Sequence, residues 1–119
     1  MTPEARLQYA IRVALGRRPD VLLWRNQTGV AQHSGRTISY GLTPGGTDLV
    51  GILTTDGIGR ALFIEVKSAR GRLSLRQQQF RDLVIARGAV YIEARSVPDV
   101  LQAIASAQAV RIECVPSPP

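Results

Sequence analysis

Two short segments carry residues able to do chemistry together: Gly45-Gly46-Thr47-Asp48, and Phe63-Ile64-Glu65-Val66-Lys67. On a strand, side chains two apart share a face. Glu65 and Lys67 therefore point the same way, and Ile64 and Val66 point into the core. Between the segments lies Asp56-Gly57, a strong hairpin signal. A two-residue turn there pairs Thr55 with Ile58, and the same register sets Asp48 opposite Glu65, with Cβ atoms about 5 Å apart. A loop lengthened through Gly59 would shift that pairing. Two carboxylates and an ammonium at one end of a sheet suit metal-assisted phosphodiester hydrolysis. Mg²⁺ takes one or two protein carboxylates plus waters and phosphate oxygens, polarises the phosphate and activates a bound water. Lys67 would position the nucleophile or offset developing charge, and the Val66 backbone carbonyl would be available as a further oxygen ligand.

A bare Glu-x-Lys is common and usually marks a solvated pair. Here it sits in a very apolar strand, follows a Gly-Gly-Thr-Asp hairpin partner, and holds the only lysine of the chain. The other 14 basic residues are all Arg, and 15 bases against 9 acids leave a net charge of +6. That surplus favours a polyanion such as nucleic acid, although arginine-rich codon usage produces the same count.

At 119 residues and 45% apolar composition, the chain fits one globular domain, expected over residues 1–115 with a flexible tail at 116–119. Disordered, collagen-like and coiled-coil readings drop out. No run of apolar residues is long enough to span a membrane, and the N-terminus lacks a signal-peptide pattern. Cys114, the only cysteine, can form neither an internal disulfide nor, with only His33 to help, a zinc site. A reducing cytoplasm is expected.

The elements that must position the cluster read as follows. Thr2, Pro3 and Glu4 open a helix carrying Leu7, Ile11, Ala14 and Leu15 on one face, with Gly16 as its stop. Val21-Leu22-Leu23-Trp24-Arg25 is a short strand, with Trp24 in the core or half in it. Residues 26–46, polar and punctuated by glycine, form a long loop or irregular hairpin. Strands follow at about 48–54 and 61–68. Ser74-Leu75-Arg76-Gln77 is a capping box opening an amphipathic helix lined by Leu75, Phe80, Leu83, Val84 and Ala86 and ending at Gly88. A strand at 89–94, a helix capped by Ser96 through about Ala107, and an edge strand at 110–114 complete a mixed α/β layer domain.

Taken together, Trp24-Arg25-Asn26 with Gly29, Gly45-Gly46-Thr47-Asp48-Leu49, Ile64-Glu65-Val66-Lys67, Gly71-Arg72-Leu73-Ser74, Gln77 and Gly88 resemble a stand-alone VRR-NUC domain, a branch of the PD-(D/E)XK nuclease superfamily, over nearly the whole chain. The resemblance implies an αβββαβ restriction-endonuclease-like core, a mixed central sheet flanked by helices, and a Mg²⁺- or Mn²⁺-dependent DNA endonuclease of bacterial or phage-infected cells. It makes Asp48 and Glu65 metal ligands, Lys67 the catalytic lysine and Gln77 the fourth motif residue. Glu4 matches the family's acidic residue on the first helix, which reaches the metal directly or through water. Small members resemble structure-specific enzymes that act as homodimers in DNA repair and recombination, with branched DNA such as four-way junctions as substrate. Thr47 stands where the family name leads one to expect proline.

Capping alone also accounts for Gln77, and a first-turn dipole preference alone accounts for Glu4. Arg70, Arg72 and Arg76 follow Lys67 at the turn and helix start, where they are placed to meet phosphates. Arg25, Asn26 and Arg36 are expected on the other wall of the groove. Arg17 and Arg18 suit a helix C-terminus, Arg81 and Arg87 a solvated face, and His33 an exposed loop. The alternative from another class is a basic nucleic-acid-binding module without catalysis. It would not need two carboxylates facing a lysine, which repel phosphate unless a cation intervenes.

Overall fold

The computed structural model describes residues 1–27 and 29–110, with the side chain of Tyr40 left aside. Its elements are α1 (Pro3–Leu15), β1 (Val21–Arg25), β2 (Gly29–His33), β3 (Arg36–Tyr40), β4 (Leu49–Thr55), β5 (Ile58–Val66), α2 (Leu75–Ile85), β6 (Val90–Ala94) and α3 (Val97–Ala109). The main sheet runs β1-β4-β5-β6. β4 is antiparallel to β1 and β5, whereas β6 is parallel to β5. This is a mixed α/β fold with a mixed central sheet and flanking helices. The edge strand expected at 110–114 falls almost wholly outside the described residues, as do Cys114 and the tail.

Local chemistry explains the boundaries. The Thr2 hydroxyl accepts from the Ala5 amide at 3.0 Å to start α1. Asp56 and Gly57 both take positive φ, 50° and 74°, as a type I′ turn requires. The resulting ladder pairs Thr55 with Ile58 and ends at Leu49–Ile64, the register expected from the sequence. Residues 26–46 contain a true hairpin: among the described residues β2 and β3 pair only with each other, around Ser34 and Gly35 with φ of 51° and 75°.

The core lies between the sheet and the α1/α3 layer. Ile11 and Leu15 of α1 meet Leu49, Leu53, Leu62, Ile64 and Val66 of the sheet and Val100 and Ile104 of α3. Ala14, expected on the same stripe, is exposed. Arg18 does not simply face the helix end. It makes a bidentate pair with Asp20 at 2.9 and 2.7 Å, and Gln108 of α3 donates to the same carboxylate.

On the opposite sheet face, α2 docks chiefly through Phe80, whose ring meets Phe63 edge-on at 5.2 Å between centroids. Its other apolar residues depart from expectation: Leu75 and Leu83 are exposed, and Val84 is half-buried. At 100° per residue, Leu75 lies about 140° around the helix from Phe80 and cannot share its face. Trp24 is also exposed rather than in the core, because α2 covers the β5–β6 half of the sheet and leaves β1 bare.

Gly51 sets how closely β1 approaches β4: a Cβ there would stand 2.0 Å from the Leu22 carbonyl oxygen. Gly51→Ala should cost about 1–3 kcal/mol. Urea denaturation should show a lowered midpoint with an unchanged slope.

Candidate active site

Asp48 lies just past the last ladder pair of β4 and β5. Its Oδ2 accepts from the Val66 amide at 3.0 Å, so the side chain continues the pairing where the strands have ended. In an extended residue the amide and carbonyl leave the strand on the same edge. The Val66 carbonyl therefore faces the Asp48 side, while the Lys67 amide is spent on Ala94 of β6 at 2.9 Å.

Several contacts hold Asp48 in place. The Asn26 amide donates to the Asp48 carbonyl at 2.9 Å, and the Asn26 side-chain nitrogen donates to the Thr47 carbonyl at 2.9 Å. Its side-chain oxygen accepts from the Leu42 amide at 3.3 Å. Expected on the wall of a DNA groove, Asn26 instead has both ends of its amide committed to the segment that presents Asp48. Thr47 is fully buried, and its hydroxyl donates to the Leu49 carbonyl at 2.8 Å. Gly45, at φ 89°, lies against the first turn of α2, where a Cβ would stand 2.4 Å from the Arg76 carbonyl oxygen. Gly45 thus lets the loop and the helix start meet.

Glu65 is only 4% exposed although it is a carboxylate. Its Oε1 accepts from the Gln77 side chain at 3.1 Å and lies 3.8 Å from Lys67 Nζ. Its Oε2 is buried without a protein partner. Burial, then the neighbouring Asp48 charge, push its pKa up to about 8, and Lys67 offsets only part of this. Gln77 makes the expected capping box and also contacts Glu65. Its oxygen accepts from the Ser74 amide at 2.8 Å to close the capping box, while its nitrogen holds Glu65.

Glu4 reaches the end of β5, where its Oε1 accepts from the Ser68 amide at 3.3 Å. Arg25, Arg70, Arg72 and Arg76 are exposed around the cluster's strand and helix ends, and Arg36 sits opposite His33 at the hairpin tip. The structure thus gathers Asp48, Glu65, Val66, Lys67 and Gln77 and puts Arg36 out on an arm.

Three neighbours went unread in the sequence. Glu93 pairs in register with Glu65, Tyr91 lies two residues back on the same face, and Arg95 follows. Glu93 is taken up by Arg95 at 2.6 Å, and Arg95 also donates to the Gly71 carbonyl, fixing the turn between Arg70 and Arg72. The Tyr91 hydroxyl is buried without a partner, and burial together with Glu65 and Glu93 pushes its pKa up. The alternation Tyr91-x-Glu93-x-Arg95 was the available signal.

Among the described residues no three His, Cys, Asp or Glu side chains form a metal cage. Mg²⁺ does not need one, since it keeps several waters and uses one or two carboxylates. A divalent cation fits the donor set of Asp48, Glu65 and the Val66 carbonyl: it would occupy the orphaned Oε2 and offset both the burial and the neighbouring Asp48 charge that raise the Glu65 pKa. No protein-family model matches the chain, and no curated protein matches it.

With its pKa raised from 4.5 to about 8, Glu65 holds in the folded, metal-free state a proton that the unfolded chain releases. Stability should therefore fall as pH rises through that window. Thermal melts in EDTA should show a decline in Tm between pH 5 and pH 8 that Glu65→Gln flattens, and replacing the EDTA with Mn²⁺ should oppose it at the upper end.

Proposed function

We propose that the protein is a divalent-metal-dependent DNA endonuclease on a PD-(D/E)XK core, acting in the cytoplasm of a bacterial or phage-infected cell. The observation that carries this reading is Glu65: a buried carboxylate beside Asp48 and Lys67, with one oxygen left for a cation. The order α1, β1, β4, β5, α2, β6 supports the core as αβββαβ, with the β2–β3 hairpin inserted after its first strand. The spacing Asp48…Glu65-Val66-Lys67, its resemblance to VRR-NUC domains and the +6 charge add to this.

Asp48, Glu65 and the Val66 carbonyl would hold Mg²⁺ or Mn²⁺, with Glu4 within reach of the same strand end. The ion would supply Lewis-acid activation of the scissile phosphate and a more acidic bound water. Lys67, on the same face as Glu65, orients the attacking water or offsets charge growing on the phosphate oxygens. Gln77 keeps Glu65 in one rotamer. Arg25, Arg70, Arg72 and Arg76 meet flanking phosphates, and Arg36 meets a more distant one. Branched DNA is the substrate class this reading favours, and a symmetric dimer would let two sites address two strands.

The test is cleavage of a labelled panel holding a four-way junction, a flap, a nicked duplex, a linear duplex and a single strand, each with Mg²⁺, Mn²⁺ or EDTA. Metal-dependent cutting is expected. Lys67→Ala and Asp48→Ala should each lower its rate by about 10²–10³ or more. Tight, salt-sensitive binding without cutting under any metal would favour the non-catalytic module.

A further inference from the structure

The sheet face that carries Glu65 continues away from it as an apolar shelf. Direct pairing across three strands sets Leu22, Ile52 and Ala61 in one row and Trp24, Val50 and Phe63 in the next. Continuing both registers by one step gives Asn26, Asp48 and Glu65. The outward face of an antiparallel sheet is usually polar. Here Leu22 is 59% exposed, Trp24 47% and Ile52 42%, because α2 reaches only the Phe63 end of the shelf. Among the described residues Trp24 lies on an edge strand of the main sheet, one row from the carboxylates. Strand geometry puts it about 10 Å across and about 7 Å along the sheet from Glu65, a span that a nucleic-acid strand covers in a few nucleotides.

We propose that Trp24 is a stacking platform for an unpaired nucleobase of the strand that enters the Asp48–Glu65 site. The inference rests on the nuclease reading above and adds the feature by which such a site would select DNA with unpaired nucleotides beside the cut. An indole face accepts any base by stacking, whereas a base inside a closed duplex cannot reach a flat shelf without leaving its stack. Arg25, the next residue, pairs with buried Leu49 and so belongs to the opposite face of β1, which leaves Trp24 to act through its ring alone. A second copy of the chain is the other occupant an apolar shelf could take. Seated flat here, however, it would also cover the neighbouring Asp48–Glu65 row and close the site.

The chain has one tryptophan, so its emission reports this position alone. The wild-type protein is titrated, with Ca²⁺ as the cation, against a short labelled single strand, the same sequence as a closed duplex, and inorganic polyphosphate. Tryptophan emission and label anisotropy are read together. The expected result is quenching by the single strand and none by duplex or polyphosphate. Trp24→Ala should weaken the single strand about 5–150-fold, the range of one stacked base, and Trp24→Phe should restore most of it. Circular dichroism checks that both variants are folded.

Binding of the single strand without quenching, or equal binding by Trp24→Ala, would overturn the proposal. A blue shift that grows with protein concentration before any oligonucleotide is added would overturn it too and name a second copy as the occupant. Binding of none of the three probes would instead overturn the nucleic-acid reading on which it rests.

Discussion

Two carboxylates stand side by side where β4 and β5 end, one of them buried, and like charges so placed push each other apart. The hydrogen bond from the Val66 amide to Asp48 holds them together. It extends the antiparallel register one step past the last backbone pair, so Asp48 keeps the place opposite Glu65 that the ladder dictates. Around it the loop has little freedom. Asn26 grips it from just past the end of β1, Thr47 is buried and satisfied beneath it, and Gly45 lets the start of α2 come close enough for Gln77 to reach Glu65. Burial first, and the Asp48 charge second, raise the pKa of Glu65. The buried Oε2 left without a protein partner is the geometric reason to expect a cation at this place.

The opposition of sign across the molecule has the same logic. A net charge of +6 favours a polyanion, and under the proposed reading an acidic, partly dry site would repel that polyanion's phosphates. Arg95 takes Glu93 out of that acidic cluster. Lys67 counters only part of the charge on Glu65. A divalent ion would complete the balance under the proposed reading.

The pairing of Asp48 with Glu65 was legible in the sequence because both of its determinants are local: a two-residue Asp-Gly turn and a side-chain period of two. The capping box at Ser74 and Gln77 was legible for the same reason. Parallel pairing was not, since the register of β6 on β5 is set by the crossover through α2. Glu93, Tyr91 and Arg95 therefore went unread. Asn26 could be placed near the site, but its task depends on what crosses its path some twenty residues later in the chain. The exposure of Trp24 and Leu75 escaped because periodicity tells which residues share a face and does not tell how far the covering helix extends. Within residues 26–46 the Ser34-Gly35 turn was a hairpin signal of the weaker kind, and the strands around it bury almost nothing that would have marked them.

The claim at the centre of this account is that Asp48 and Glu65 together form a divalent-cation site, and calorimetric titration with Mn²⁺ tests it most directly. The wild-type protein should bind Mn²⁺ with measurable heat and release protons, more of them below pH 8 where Glu65 is still protonated. Asp48→Ala should lose that heat while remaining folded. No heat from the wild type, or equal heat from Asp48→Ala, would contradict the account.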